Sequence, residues 1–360
     1  MKIGIPKETM QGEGRVALVP VDCRMLVADG QSVYIETGVG VSSGYADSDY
    51  VAAGVEVLDC AAALYAAAEL VVKVKQPLAH DLQYLRSDHL LFSYLHLAAD
   101  AALVEALCTL GLTAIPFEAV ADSRGGYPLL APMSAIAGRL SIIRGARLLF
   151  STTGGRGVLL GGVDGAERGR VMVLGAGVAG SHAVSTALGL EAEVHVFDLR
   201  ESRLAQLHSR YPALITHLST PEVIARECRQ ADLVVGAVMV AGRRAPVVLS
   251  RSMIATMAEG SVIVDIAIDQ GGCVEGIKPT GSNELVYTEQ GVIHSAVPNM
   301  PGAVPRTASQ SLSSVVMPYV QRLAAGKLDA EAALQQAVAV STGRVVDPVL
   351  QEELRAGVNR

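Results

Sequence analysis

The chemistry in this chain is concentrated in a glycine run, two carboxylates, a histidine, an arginine and a lysine. Gly175-Ala176-Gly177-Val178-Ala179-Gly180 fits G-x-G-x-x-G. In that spacing the first glycine allows a tight turn, the second lets backbone approach a pyrophosphate, and the third lets helix pack closely on strand. A helix N-terminus behind such a turn offers unpaired N–H groups and a positive dipole end to phosphates. Asp198 closes the next apolar run, where a carboxylate can accept both ribose hydroxyls and repel a 2′-phosphate. Arg200 and Arg203 follow it and would suit a 2′-phosphate, but the acid selects NAD. Arg15, Lys75, His96 and Asp269 add a carboxylate clamp, an ammonium, an imidazole suited to acid–base work and a further acid.

These residues need elements to hold them. Val171 to Leu174 reads as a buried strand, Ser181 to Leu190 has helical apolar spacing, and Glu193 to Phe197 reads as the next strand. Before them, strands are expected at Lys2–Ile5, Ser32–Glu36, Leu70–Val74, Leu90–Tyr94 and Leu112–Pro116. Helices are expected at Val19–Asp29, Cys60–Glu69 and Ala99–Leu110. Continuous Val/Ile/Leu runs separated by helices indicate a parallel sheet covered on both faces. This first unit has no glycine fingerprint and suits substrate better than cofactor. A long helix from Pro132 to Phe150 carries the chain onward, and GGRGVLLGG (154–162) reads as a tight connection. Further strands at Ala213–Leu218, Asp232–Gly236, Ser261–Ile266 and Gly291–Ser295 extend the second sheet. A proline-punctuated loop, a helix from about Ala308 to Ala325 and a tail returning to the first unit follow. The expected fold is α/β: two doubly wound, Rossmann-like parallel-sheet domains flanking a cleft and joined by two long helices. Residues 1–130 and 307–360 would form the substrate domain, and 131–306 the NAD-binding domain with its linker helix.

Composition narrows the function. Half the residues are hydrophobic and 18% are charged, as in ordinary globular chains. A net charge of −7 without a basic run argues against nucleic acid. Five widely spaced cysteines without a C-x-x-C pair read as reduced thiols of a cytoplasmic protein. MKIGIPKE enters a strand directly, without the anatomy of a signal peptide. The longest apolar run, Leu129 to Phe150, is broken by Arg139, Arg144 and Arg147, so no membrane span is expected.

Ligands of open parallel sheets bind beyond the carboxyl ends of the strands. That rule selects Arg15, Lys75 and His96 in the first unit, and Gly175, Asp198, Val238-Met239, Asp269 and Asn299 in the second. Each has a plain alternative. Arg15 could be a solvated loop residue, although its guanidinium suits a carboxylate. Lys73 and Lys75 share a strand face; position separates them, with Lys75 past the strand end. His96 lies in an apolar segment, where a lone histidine is commonly a core residue. Asp265 competes with Asp269 but falls within the strand or near its end. Convergence in one cleft carries the reading.

IGIPKET with Arg15, VVKVKQP, SYLHLAA, PLLAPMSAIAGRLS, GGRGVLLGGV, VLGAGVAG, IDQGGCVE and VPNMPGAVPRTA, in this order, resemble the alanine dehydrogenase family over essentially the whole chain. The resemblance implies reversible oxidative deamination of L-alanine to pyruvate and ammonia with NAD, by subunits assembled as homohexamers. It implies substrate binding by Arg15 and Lys75, with Asn299 nearby, and catalysis by His96 and Asp269. Besides Gly175, Gly177, Ala179 and Gly180, implied cofactor contacts are Ser134, Val178, Asp198, Arg203, Ser219, Val238, Met239, Ile266, Ala267, Ile268, Asp269, Lys278, Val297, Pro298, Asn299 and Met300. Three positions depart from the family: Gly14 replaces an aromatic, implying a looser Arg15 loop, Gln76 a glutamate and Asp164 a proline. Some members pair a glutamate, here Glu118, with a later histidine around magnesium. No histidine follows His294, so no metal is carried over. Two alternatives are a transhydrogenase-like NAD(H)-binding subunit and a non-catalytic NAD sensor.

Overall fold

The protein is described by a computed structural model that covers residues 1–240, 244–281 and 286–358. The chain forms two compact units, Met1–Met133 with Gly302–Arg360, and Ser134–Pro301. The sequence places these boundaries at 130/131 and 306/307, a few residues away.

The first unit opens with β1 (Lys2–Ile5), β2 (Ser32–Glu36), β3 (Glu56–Leu58), β4 (Leu70–Val72), β5 (Leu90–Ser93) and β6 (Thr113–Pro116). They pair in parallel in the order β6-β5-β4-β1-β2-β3. The reversal of direction at β1 and β4 makes the sheet doubly wound. Ile3, Ile5, Leu70, Val71, Val72 and Leu91 are fully or almost fully buried, which explains strands that read as unbroken apolar runs. The helix Pro305–Ala324 belongs to this unit and pins the loop after β1 through its serines. Ser309 Oγ accepts Val16 N–H and Ser313 Oγ accepts Val19 N–H, each at 2.9 Å.

The helix Ala131–Leu148 carries the chain into the second unit. There the glycine-rich connection is tight, as expected: a Cβ on Gly155 would lie 2.2 Å from Leu148 O. β7 (Arg170–Leu174), β8 (Glu193–Asp198), β9 (Ile215–Leu218), β10 (Leu233–Gly236), β11 (Val262–Asp265), β12 (Tyr287–Glu289) and β13 (Val292–Ser295) form a sheet in the order β12-β13-β11-β10-β7-β8-β9. Alternate residues serve opposite faces. Val171, Val173, Val194 and Val196 pack into one core, whereas Met172, Leu174 and Phe197 pack into another. A sheet covered on both sides follows directly from that alternation.

Each sheet also has an antiparallel edge. β12 runs against β13, and in the tail β14 (Val340–Ser341) pairs with β6 and with β15 (Arg344–Val345). β3, β12, β14 and β15 carry two or three residues each, too few for a periodic signal. All five cysteines are free, and Cys23, Cys228 and Cys273 are buried. Among the described residues, no helix is long and apolar enough to cross a membrane.

Buried histidines make stability pH-dependent. His89 Nδ1 accepts Arg86 N–H at 3.1 Å and Nε2 faces Tyr65 O at 3.0 Å, an arrangement for the neutral ring. Burial, then Arg86, pushes this imidazole below its ordinary value, and burial does the same to His294. The unfolded chain therefore takes up these protons first as pH falls. Stability is complete above the free imidazole value, about 6.5, and declines below it. Thermal melts between about pH 8 and pH 5.5 should show Tm falling on acidification, with a shallower slope in His89→Gln. An unchanged slope in that variant would remove His89 from the account.

Candidate active site

In the first unit the loops leaving β1, β4 and β5 are tied together at their backbones. Glu8, three residues past β1, accepts Val74 N–H at 2.7 Å and Lys75 N–H at 3.3 Å. Tyr94 N–H reaches Val74 O at 3.1 Å. Burial raises the Glu8 pKa, opposed by Lys73 and the Val74 N–H. Because β4 closes at Val72, Lys73 and Lys75 both lie past the strand end, so position alone does not separate them. Burial does. Lys73 is 1% exposed, with Nζ 3.4 Å from Asp81 and 3.7 Å from Glu8, whereas Lys75 is half-buried.

His96 is no core residue. It stands beyond β5 with φ 49° and its side chain is 41% exposed. Left-handed backbone is uncommon outside glycine, and Glu118 accounts for it here. That carboxylate accepts both Leu95 N–H (3.1 Å) and His96 N–H, and lies 4.0 Å from His96 Nδ1. The ring stacks on Tyr94, with centroids 6.1 Å apart. Tyr94 is itself fixed by its hydroxyl donating to Leu129 O at 2.6 Å. Burial pushes the Tyr94 phenol up, with the Arg15 charge opposing.

Arg15 is 3% exposed. Its Nε donates to Glu13 Oε1 at 2.7 Å, its Nη2 to Glu13 Oε2, and its Nη1 to Met133 Sδ at 3.1 Å. The solvated-loop reading is therefore wrong. So is the looser loop inferred from Gly14: Gly14 O accepts Ser43 Oγ–H at 2.7 Å, and a Cβ there would sit 2.9 Å from Ser42 Cβ.

In the second unit the three glycines divide their work. Gly175 has φ +103°, and a Cβ on it would lie 2.6 Å from Ala237 O. On Gly180 a Cβ would fall 1.7 Å from Gly175 O, so helix and strand meet at backbone distance. On Gly177 its nearest neighbour is Arg203 Nη1, 3.9 Å away, leaving open space for a phosphate. The helix Val178–Gly189 starts there without a side-chain cap, so its first N–H groups remain available to an anion. Asp198 Oδ2 accepts Ala176 N–H at 2.8 Å and lies 3.5 Å from Arg203, while Oδ1 accepts Arg200 N–H at 2.9 Å. The acid thus shapes the glycine loop. The residues fit a dinucleotide.

Asp265 and Asp269 separate cleanly. Asp265 is fully buried at the end of β11 and accepts Ala267, Cys273 and Val274 N–H groups. Asp269 is exposed in the 3₁₀ turn Ile266–Gln270 that Asp265 caps. Asn299 has φ 55°, and its N–H donates to Asp269 Oδ1 at 3.2 Å. Val178, Ser219, Val238, Met239 and Val297 to Met300 follow strand ends of the same sheet. Ser134 lies on the long helix, and Lys278 is exposed with its ammonium 5.9 Å from the Tyr287 ring centroid. Among the described residues, Gln76 Oε1 and Ser93 Oγ in the first unit and Gln270 Oε1, next to Asp269 in the chain of the second, are buried polar atoms without a hydrogen-bond partner.

Sequence reasoning missed Glu8, Glu13 and Tyr94, gave Asp265 no task and considered Glu118 only for metal. A carboxylate a few residues after a predicted strand end is the signal that would have found Glu8.

Two family models together span nearly the whole chain: the alanine dehydrogenase/PNT N-terminal domain matches residues 4–137, and the C-terminal domain matches 141–348. The chain belongs to the alanine dehydrogenase/PNT family. Alanine dehydrogenase from Halomonas elongata is 45% identical over 325 residues, covering 90% of this chain and 88% of the relative. A solved L-alanine dehydrogenase superposes with TM-score 0.95 at 46% identity, covering 99% of both chains. A transhydrogenase from Sinorhizobium meliloti follows with TM-score 0.83 at 26% identity, covering 97% of this chain and 99% of that one. The alanine dehydrogenase/PNT fold is thus shared by proteins with different names, and the site residues must carry the distinction.

The glycine loop gives a paired test. Gly180→Ala should lower stability by about 1–3 kcal/mol through overpacking, read as a lower Tm. Gly177→Ala should keep the parent Tm and weaken dinucleotide binding in a fluorescence titration. Equal loss of stability in both variants would contradict the division of labour.

Proposed function

We propose that this chain is an NAD-dependent L-alanine dehydrogenase, catalysing reversible oxidative deamination of L-alanine to pyruvate and ammonia. The observation that carries the reading is His96, held exposed beyond β5 in left-handed backbone by Glu118. A structural histidine has no need of that posture. The higher identity to alanine dehydrogenases than to the transhydrogenase supports the same choice.

The dinucleotide would lie over the glycine loop, with Asp198 accepting ribose hydroxyls and Arg203, Ser219, Val238, Met239 and the Ile266–Asp269 turn beside it. Ser134, Lys278 and Val297 to Met300 complete the proposed contacts. Bound nicotinamide supplies the hydride acceptor. Arg15 and Lys75 bind the substrate carboxylate, and Arg15 does so as a fixed fork of N–H donors whose charge Glu13 already offsets. Holding the carboxylate fixes the α-carbon for transfer. Loss of hydride from that carbon leaves an iminium, whose charge Asp269 offsets, and Asp269 with Asn299 orients the attacking water. His96 takes the proton released as water adds and returns it to nitrogen as ammonia leaves the carbinolamine. Lys75 polarises the carbonyl oxygen in the reverse direction. The α-ammonium gives up one proton before hydride leaves, and the balance is alanine, NAD⁺ and water giving pyruvate, ammonium, NADH and that proton. By family resemblance the enzyme works in the cytoplasm as a homohexamer.

Adding L-alanine and NAD to the purified protein should produce NADH absorbance. His96→Ala should lower kcat by about 10²- to 10⁴-fold, the span of general acid–base catalysis, with dinucleotide binding retained. Full turnover in His96→Ala would end the catalytic assignment. Asp198→Ala should raise the NADP-to-NAD ratio of kcat/KM by about tenfold or more, since hydrogen bonds to charged groups contribute about 1.5–3 kcal/mol. Unchanged selectivity would mean that Asp198 serves the loop alone.

A further inference from the structure

The second unit carries a side-chain cluster that the dehydrogenase chemistry does not use. His195 on β8 and His217 on β9 share one sheet face, the face packed by the helix Pro221–Cys228. The strand register sets Phe197 opposite His217. His195 Nδ1 lies 2.9 Å from His217 Nε2 and 3.7 Å from Glu227 Oε2 on that helix. All three ligand atoms fall within 4.8 Å of one another. In tetrahedral coordination with metal–ligand bonds of about 2.0–2.1 Å, ligand atoms lie about 3.3 Å apart. The observed separations bracket that value, so side-chain adjustments alone close the site.

The proton arrangement matches. His195 Nε2 lies 2.8 Å from Glu193 Oε1, and a carboxylate only accepts, so Nε2 carries the hydrogen. That leaves a lone pair on Nδ1, the atom facing His217 and Glu227. Carboxylate–histidine–metal chains use this order, the outer carboxylate fixing both tautomer and ring orientation. Two arginines also face the cluster. Arg226 Nε engages Glu227 Oε1 at 2.9 Å, while Arg170 lies 3.8 Å from Glu227 Oε2 and 2.7 Å from Glu193 Oε1. Arg226 takes the outer oxygen, whereas Glu227 Oε2 faces both His195 and Arg170, so an ion there would share that oxygen with the Arg170 charge.

We propose that His195, His217 and Glu227 form a site for a divalent transition-metal ion, with Zn²⁺ the class representative and water completing the shell. Two imidazoles and one carboxylate favour Zn²⁺, Co²⁺ or Ni²⁺ over Mg²⁺ and Ca²⁺, which take oxygen ligands. When the ion is absent, His217 Nε2–H donates to His195 Nδ1. On binding, the His217 proton moves to its own Nδ1, both rings stay neutral, and no net proton is released. The ion would clamp β8, β9 and the helix Pro221–Cys228, joining the strands that end on Asp198 and Leu218.

The test uses the untagged, chelator-stripped full chain titrated with Zn²⁺ alone by calorimetry and Co²⁺ alone by visible absorption. One equivalent should bind, Co²⁺ should give the intense d–d bands of tetrahedral coordination, and excess Mg²⁺ should not compete. His217→Gln and Glu227→Gln should each weaken binding by at least about tenfold, the loss that even outer carboxylate changes produce, while keeping the parent circular dichroism. His80→Gln, at an exposed histidine of the first unit, should bind as the parent does. Parent-like affinity in both His217→Gln and Glu227→Gln, or displacement of the ion by Mg²⁺, would overturn the site. If His217→Gln misfolds, Glu227→Gln decides alone, because Glu227 lies on a surface helix. NADH formation from L-alanine is read separately, so loss of either proposal leaves the other standing.

Discussion

Loops that leave the carboxyl ends of parallel strands carry N–H groups with no ladder partner, and buried N–H groups must be paired. In this protein carboxylates take them. Glu8 accepts the N–H groups of Val74 and Lys75, Glu118 those of Leu95 and His96, Asp198 those of Ala176 and Arg200, and Asp265 those of Ala267, Cys273 and Val274. Each loop so held bears a residue of the proposed chemistry. Burial opposes ionisation of Glu8 and Asp265, and charge-assisted bonds to N–H groups, each contributing about 1.5–3 kcal/mol, offset that penalty. Replacing such a carboxylate would free the loop backbone as well as remove a charge, so the mobility of Lys75 or His96 is governed from another strand's loop.

This arrangement explains what was legible in the sequence. Central strands were, because a strand buried on both faces reads as a continuous apolar run, and Val171 to Leu174 or Leu70 to Val72 do so. The glycine loop was, because its constraints fall within six residues. The four-carboxylate scaffold was not, because each partner is a backbone N–H, which has no residue identity, and Glu8 and Val74 stand 66 positions apart. The edge strands hid for another reason: β14 is two residues long and gains its partner β6 only when the tail folds back. His96 was legible only by its place past a strand end: Leu95 and Leu97 on either side are buried, whereas its own side chain is exposed and stacked on Tyr94.

The glycine motif combines two kinds of constraint. Gly175 and Gly180 are demanded by the fold itself, one by its backbone angle and the other by contact with a carbonyl oxygen. Gly177 answers to the ligand, since nothing in the protein crowds its missing side chain. A match to the motif therefore reports strand–turn–helix packing at least as strongly as it reports a cofactor. Asp198 has the same double character, with both oxygens already engaged by N–H groups. Carboxylate oxygens keep further lone pairs, so these structural bonds leave the acid able to accept from the ribose of the proposed cofactor.

Charge decides how Arg15 can act. A buried guanidinium without a counter-ion would be strongly destabilising, and Glu13 supplies that counter-ion through two parallel bonds. In the proposed machinery, Arg15 would therefore meet a substrate carboxylate with its charge already partly offset by Glu13. In that machinery Lys75, half-buried at the neighbouring strand end, supplies the ammonium. Lys73, two residues earlier, cannot share the task, because Glu8 and Asp81 already surround its ammonium. Two lysines that look alike in the sequence thus differ in their surroundings, Lys73 enclosed between Glu8 and Asp81 and Lys75 half-buried past the strand end.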